Sequence, residues 1–539
     1  MRLRRTVQAI SFSTFLLLLW YAAFPLALPI PVDIFLRMDP LILILTGAGL
    51  RGFLLKMFPA VIILGMSVLL GRFFCSMICP LGTSIDITDR LISGRGVRGD
   101  AEAVSGASLK PVKYLVLCFM LVSALTGLSL AAYGSPLALA TRFYGMLAYP
   151  LVSLAADAGL AVLRPLADRA GIAVIAYADI PLRAFNLLWI TVALMGGIAA
   201  GAFLAPRFWC RYLCPAGAVL ALASWRPLVT RRRVGDGCTS CGLCRTSCPM
   251  DAIGQDPHKT DFSECIVCMK CARVCPEKAV RFTPGKGSQP LRTGLFSRNR
   301  RALILSTLAG AATAMVALST LRGRACEGGP GQVMDPTLIR PPGSLPECGF
   351  LKACVGCGEC MKACPTNTLQ PAGLAAGLAA LFSPVMVPRR GPCDPACNAC
   401  GRVCPTGAIR DLVLEEKRHA KVGTAHILRH TCIAWEAGKA CLVCDEVCPY
   451  GAVSLQRAPG IAVMVPAVDE SRCNGCGFCE HYCPVVPGAA IVVGPMDELR
   501  LESGSYRAKS RELGLSFEPK NQGDPPATEN NGLPPGFSD

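Results

Sequence analysis

Six cysteine quartets, each closing on Cys-Pro, constrain this chain more than any other feature. The first joins Cys238, Cys241, Cys244 and Cys248, and the second Cys265, Cys268, Cys271 and Cys275. Then follow Cys354/Cys357/Cys360/Cys364, Cys393/Cys397/Cys400/Cys404, Cys432/Cys441/Cys444/Cys448 and Cys473/Cys476/Cys479/Cys483. Three thiolates this close along a chain wrap one face of a cubane [4Fe–4S] cluster, and the fourth cysteine of such a run ligates the neighbouring cluster. Quartets therefore work in pairs, and the six predict six [4Fe–4S] clusters in three pairs. Structural zinc instead pairs two CxxC units across a dozen or more residues. Disulfides need a geometry that cysteines three apart seldom reach. The quartets starting at Cys393 and Cys432 are looser, with first gaps of three and eight residues. That leaves open whether the 393–404 quartet holds a regular cluster.

The 539 residues contain 31 cysteines; the quartets take 24 and two Cys-x3-Cys-Pro motifs take four, leaving Cys118, Cys326 and Cys348. Hydrophobic residues make up 52% of the chain, so a membrane portion is expected. In that setting the net charge of +17 is a topology signal, and no nucleic-acid partner is expected. Five segments approach the roughly 20 apolar residues that cross a bilayer: Val7–Leu28, Met57–Phe74, Tyr114–Tyr133, Ala184–Pro206 and Ala302–Leu321. Arg2, Arg4 and Arg5, then Arg90, Arg95, Arg98 and Lys110, then Arg231–Arg233, then Arg298, Arg300 and Arg301 flank alternate ends. The positive-inside rule puts these on the cytoplasmic side and everything after Leu321 outside. Gly134–Leu182, interrupted by Asp157, reads as an external or re-entrant stretch.

These boundaries predict a multi-domain chain: an α-helical membrane domain of about five spans plus α+β bacterial ferredoxin-like domains. Residues 1–225 form a four-helix membrane domain with two CxxxCP motifs, and 226–290 a two-cluster cytoplasmic domain. Residues 298–325 form the fifth span with an Arg300-Arg301 leader, and 340–501 a four-cluster exported domain. The Pro-, Gly- and Asn-rich tail 502–539 is expected to be disordered. After four of the quartets, Ala252-Ile253, Ala279-Val280, Ala408-Ile409 and Ala452-Val453 read as short covering strands.

Within the membrane half, Arg72-Phe73-Phe74-Cys75-x3-Cys79-Pro80-x-Gly82 returns as Arg207-Phe208-Trp209-Cys210-x3-Cys214-Pro215-x-Gly217. Cysteines four apart share a helix face. Each pair can close on a metal, react as a dithiol, or approach a partner. Cys75, Cys79, Cys210 and Cys214 are therefore the candidate catalytic residues, while the quartet cysteines are the candidate iron ligands. The five histidines, His258, His419, His426, His430 and His481, all lie beyond residue 257, so no membrane haem b is indicated. Without a GxGxxG motif opening a βαβ unit, neither NAD nor flavin is indicated. The donor is then a protein or a membrane-dissolved carrier such as a quinol. Asp39, Asp86 and Asp89 are the carboxylates nearest to where a quinol proton would leave, and each also reads as an ordinary interface residue.

Residues 1–284 resemble the NapH type of membrane ferredoxin, with its two CxxxCP motifs and two quartets. Residues 298–501 resemble the NapG type of exported four-cluster ferredoxin, through Arg300-Arg301, the string Arg340-Pro341-Pro342-Gly343-Ser344-Leu345-Pro346-Glu347, and four quartets. The resemblance implies a quinol dehydrogenase component of a periplasmic nitrate reductase system, in the bacterial inner membrane; the two proteins, separate in that family, are fused here, which the resemblance does not explain. The chain's first cluster pair would be cytoplasmic and its last four clusters periplasmic. Its partners would be the membrane quinol pool and an exported reductase or c-type cytochrome. Two alternatives are a maturation factor reducing metal or thiols in a client metalloprotein, and a conduit from cytoplasmic ferredoxin outward. In the inner domain, Cys238, Cys241 and Cys244 are expected to share a cluster with Cys275, and Cys265, Cys268 and Cys271 one with Cys248. Outside, the resemblance implies nesting: Cys354, Cys357 and Cys360 with Cys483, and Cys393, Cys397 and Cys400 with Cys448.

Overall fold

The computed structural model describes residues 2–26, 30–94 apart from 53, 109–177, 182–224, 227–233, 238–284 apart from 255, 257 and 258, and 338–518 apart from 378, with a few isolated positions besides. The expected fifth span, the paired-arginine leader and Cys326 lie outside these. Two compact units result. One comprises Met1–Asp335 with Ser344–Val385 and Ala399–Asp411; the other comprises Pro336–Gly343, Met386–Asn398 and Leu412–Asp539.

The first unit is built on apolar helices, but they do not match the five expected spans. Among the described residues one helix, Pro136–Arg169, is long and apolar enough to cross a bilayer. Pro40–Leu50, Leu55–Leu70, Val112–Leu125 and Leu188–Leu204 are apolar but shorter. The stretch read as external or re-entrant is thus the longest helix. It tolerates Asp157 because that carboxylate accepts a 3.0 Å bond from Arg164, two turns on. The shorter helices stop where the sequence puts a breaker. Gly71, at φ +78, ends Phe58–Leu70, and Ala205, in extended backbone, ends Leu188–Leu204.

Arg2–Tyr21 runs 20 residues. Leu41, Ile42 and Leu45 of Pro40–Leu50, Phe74, Leu137 and Leu220 are all buried in one continuous core. Val61, Ile62, Leu151, Val152, Leu154, Trp189, Val192 and Phe203 face outward. Strands Val229–Arg233 and Val280–Pro284 pair antiparallel, with Arg231 opposite Phe282, and bracket the first two quartets.

In the second unit Thr424–Ile427 pairs with Ile491–Gly494, and Val453–Arg457 with Met464–Val468, both antiparallel. The expected covering strands are present in reduced form. Val280 and Val453 open strands, while Ile253 and Ile409 make isolated bridges to Thr260 and Ser344. The tail departs from expectation as far as it is described. Tyr506–Glu512 is helical with Ser505 as N-cap, and Tyr506 and Phe517 are buried. Glu416 accepts from the Ser505 hydroxyl at 2.7 Å and the Tyr506 N–H at 2.6 Å, so two aromatic anchors in a polar stretch are enough to order it. Residues 519–539 lie outside the described set.

Candidate iron–sulfur sites and the paired cysteine motif

The turns of the third and last quartets are folded by glycines that let the chain curl around a centre. Gly358 has φ +80 and Gly477 φ +83, each directly before a short helix carrying the third cysteine. Gly475, at φ +81, has no space for a Cβ, which would sit 2.6 Å from the Gly423 carbonyl oxygen.

The thiols then converge on cavities. Cys265, Cys268 and Cys271 line one of about 360 Å³ together with Cys248, as the sequence predicts. Cys354, Cys357 and Cys360 line another of about 360 Å³, and the fourth thiol there is Cys404. Cys432, Cys441 and Cys444 meet Cys483 around about 380 Å³, and Cys473, Cys476 and Cys479 meet Cys448 around about 320 Å³. The nested scheme is therefore wrong for the outer quartets. The first exchanges with its neighbour in sequence, and the last two with each other, as in the inner domain. Short connections explain this. The Cys483 turn returns through Ile491–Gly494, the strand paired with Thr424–Ile427, five residues before Cys432.

Cys364, expected as an iron ligand, does not join the thiols of its own quartet. It lines none of these four cavities, and Cys404 takes the fourth place beside its own quartet. Cys364 stands before Pro365, which pushes it out of the α region, and at φ −67, ψ 118 it leaves the helix Glu359–Ala363, the same exit that Cys483 makes at φ −58, ψ 123 from Phe478–Tyr482. Its thiol is buried with Sγ 3.5 Å from Thr366 Oγ1, and adjacent exchange leaves it as the expected fourth ligand beside Cys393, Cys397 and Cys400.

Donor set and shape both fit a cubane. Each cavity offers four thiols among apolar side chains. Backbone N–H groups point at the sulfurs: Ala252 to Cys248 at 3.4 Å, Ala452 to Cys448 at 3.3 Å, Ala490 to Cys483 at 3.3 Å, and Ala425 to Cys473 at 3.3 Å. Such bonds and apolar burial set cluster potentials. No group of three or more His, Cys, Asp or Glu among the described residues is placed to hold a single metal ion. Thiols spread around a cluster-sized space are expected to fail that condition.

The Cys354 cavity is flanked by two buried ionisable groups of the same short helix. Burial pushes the Glu359 carboxyl up to about 8 and the Lys362 ammonium down to about 7. Lys362 Nζ donates to the Trp20 and Ala22 carbonyls at 2.8 and 3.0 Å, at the end of Arg2–Tyr21. Arg142 donates to the Gly356 carbonyl at 3.2 Å and stacks 3.8 Å over Phe382. Cys348 is disulfide-bonded.

The two CxxxCP motifs come together. Cys75, Cys79, Cys210 and Cys214 line a single cavity of about 350 Å³ with Arg72, Trp209 and Pro136. Within each pair the cysteines do not share one helix face, contrary to expectation. Phe73–Met77 and the π-turn Trp209–Leu213 end just before Cys79 and Cys214. The following prolines force this, because a residue before proline is pushed out of the α region, and Cys214 sits at φ −66, ψ 111. Helices Pro80–Gly94 and Pro215–Ala223 start there instead.

The carboxylates considered as proton acceptors are all engaged. Asp86 accepts from Arg4 at 2.6 Å, Arg207 at 2.7 Å and Gln8 at 3.0 Å. Asp89 accepts the Arg207 backbone N–H at 2.9 Å, and Asp39 caps Pro40–Leu50 through Leu41 N–H at 2.9 Å. Sequence reading missed Glu264, directly before Cys265. It takes 3.0 Å from Arg72 and also bonds Lys113, so a CxxxCP arginine is tied to an inner-domain cluster turn. Its adjacency to a ligand cysteine was the only available signal.

Comparison with known proteins accords with this chemistry. A family model described as a 4Fe-4S binding domain matches residues 54–96, 187–235 and 400–423. A 4Fe-4S dicluster domain matches 237–280, and a further 4Fe-4S binding domain matches 351–370 and 466–486. The methylamine utilization ferredoxin-type protein MauM of Paracoccus denitrificans is 41% identical over 169 residues, 30% of this chain and 74% of the relative. MauM of Methylorubrum extorquens is 34% identical over 218 residues, 39% of this chain and 92% of the relative. The ferredoxin-type protein NapG of Escherichia coli is 35% identical over 178 residues, 31% of this chain and 75% of the relative.

Proposed function

From the premise that the chain belongs to the MauM and NapG family of ferredoxin-type, iron–sulfur electron-transfer proteins, we propose that it oxidises membrane quinol and carries the electrons outward through its clusters. The membrane half is read as NapH-like, and the acceptor as an exported reductase or c-type cytochrome. Quinol oxidation releases both its electrons and both its protons; the electrons pass singly from cluster to cluster, and each cubane returns to its oxidised state.

One observation carries the reading: a continuous buried core holds Cys268 of the inner domain, the CxxxCP cysteines Cys79, Cys210 and Cys214, and Cys357 of the later module. The helices support an outward direction. Lys113, near the start of Val112–Leu125, bonds Glu264 of the inner domain, while Gly127, just past its end, lies against Lys352 of the later module. Along Arg2–Tyr21, Arg4 bonds the Ser76 carbonyl beside the CxxxCP site and Trp20 receives Lys362. Those sixteen residues rise ~24 Å. Outward-facing Val61, Ile62, Leu151 and Trp189 suit lipid, and a disulfide at Cys348 suits an oxidising compartment.

The test is direct. Anaerobic protein in detergent, mixed with menaquinol or ubiquinol, should bleach its cluster absorbance within seconds, with dithionite defining full reduction. Absorbance unmoved by either quinol, though bleached by dithionite, would remove quinol from the account.

A further inference from the structure

We propose that Cys75, Cys79, Cys210 and Cys214 jointly hold one more [4Fe–4S] cluster, lodged between the two repeats and built from two thiols of each. The cavity they line, about 350 Å³, falls inside the 320 to 380 Å³ range of the four quartet cavities described above. The sulfurs are served as in those sites: Cys79 Sγ accepts the Gly82 N–H at 3.4 Å and Cys214 Sγ the Gly217 N–H at 3.3 Å. Both bonds come from first turns of helices of 15 and 9 residues, whose dipoles favour negative charge.

The charge balance points the same way. A cubane on four thiolates is anionic in its usual states. Arg72 is fully buried; its Nη1 pairs with Glu264 at 3.0 Å, but its Nε and Nη2 have no hydrogen-bond partner, which is costly without a further acceptor. Its Nη2 would meet a Cβ on Gly217 at 2.8 Å, and Arg207 Nη2 approaches Gly82 in the mirror relation, so each repeat's arginine reaches across the other's motif. Trp209 Nε1, on the same wall, also lacks a partner. A single metal ion does not suit the site, since no three of its thiols are placed to hold one. The model described as a 4Fe-4S binding domain matches 54–96 and 187–235, stretches whose only cysteines are these four.

The site also lies on the route. Pro136 lines its wall and Arg142 of the same helix holds Gly356 beside Cys357, six residues and ~9 Å further on. As a relay the cubane takes one electron from the quinol-fed side and yields one to the Cys354/Cys357/Cys360/Cys404 cluster, with no bond made or broken. This relay role rests on the quinol reading; the site itself does not.

Iron counting separates them. Full-length protein purified anaerobically should hold about 28 irons and as many sulfides, seven clusters of four. Cys75→Ser and Cys214→Ser should each fall to about 24, while Cys118→Ser, outside the site, stays at about 28. Mössbauer spectra of iron-57 protein should lose one cubane component in the two site variants and none in the control. Mössbauer spectra that lose no cubane component in either site variant would overturn the site, whatever the wild-type total. So would unchanged iron in both site variants. A wild-type count of about 28 without quinol-driven reduction would retain the site and discard only the relay.

Discussion

At the residue scale the structure gives several ambiguous side chains a definite role. Asp86 sits between Arg4 and Arg207, with both guanidinium groups almost fully buried. Removing one partner from such a cluster leaves uncompensated buried charge, at a cost of about 3–5 kcal/mol. Asp86→Asn should therefore lower the unfolding midpoint of the detergent-solubilised protein by several degrees; a midpoint unchanged from the parent would show that the carboxylate is free for other work. Gly358 makes a second case. Its φ of +80 and a Met146 Sδ 2.6 Å from where a Cβ would stand leave no place for alanine. Left-handed strain alone costs about 1–3 kcal/mol. Gly358→Ala should thus release the cluster turn from helix Pro136–Arg169, seen as faster hydrogen exchange at 354–360, while Gly196→Ala, with open space around it and ordinary helical backbone, should leave that exchange at the parental rate. The thiols and their triplet grouping were legible in sequence because cysteine spacing carries the chemistry. Asp86 and Glu264 were not, since a carboxylate's role depends on which arginine the fold brings to it.

At the element scale the sequence anticipated the ferredoxin turns, the duplicated motif and the exchange of Cys248, and missed helix lengths and the cluster pairing of the last four quartets. Apolar windows of 20 residues cannot see Gly71 or the Cys-Pro breaks that stop the helices early. Likewise the spacing of one quartet says that a fourth cysteine is exchanged, but only short strands decide with which quartet. Cys364 and Cys404 show the limit, since both precede a proline and only Cys404 is brought to the Cys354 cavity. Adjacent exchange makes a clear forecast. Cys483→Ser should cost the cluster of Cys432, Cys441 and Cys444, about four irons, and leave the Cys354 cluster intact. Loss of the Cys354 cluster instead would restore nesting.

The C-terminal helix adds a pH effect. His419 Nδ1 lies 2.8 Å from Ser510 Oγ, and its ring meets Phe517 edge-on. Burial, with Arg507 and Arg511, holds the imidazole below its ordinary 6.5, against the opposing pull of Glu416 and Glu518. A depressed folded value means stability present above pH 6.5 and lost as pH falls through the folded value. Protease protection of 505–518 should therefore weaken between neutral and mildly acidic buffer, and His419→Gln should flatten that dependence. A segment equally protected at both pH values in the parent chain would rule His419 out as its clamp.

At the scale of the whole molecule, composition raised the expectation of a membrane portion and cysteine spacing that of a row of clusters, and the first unit joins the first ferredoxin pair, a four-thiol site and a later cluster turn in one core. What composition could not supply is connectivity. That comes from Glu264, Arg142 and Lys362, each reaching across hundreds of residues to fix a cluster turn against a helix end. The central claim is outward electron flow from quinol. It is tested most directly in sealed liposomes carrying menaquinol, with the protein inserted and a membrane-impermeant one-electron acceptor supplied outside. Orientation is sorted by protease access to the region after residue 338. The account predicts acceptor reduction by those molecules whose 338–518 region faces the acceptor, abolished by Cys214→Ser. Reduction independent of orientation, or none while dithionite still reduces every cluster, would contradict it.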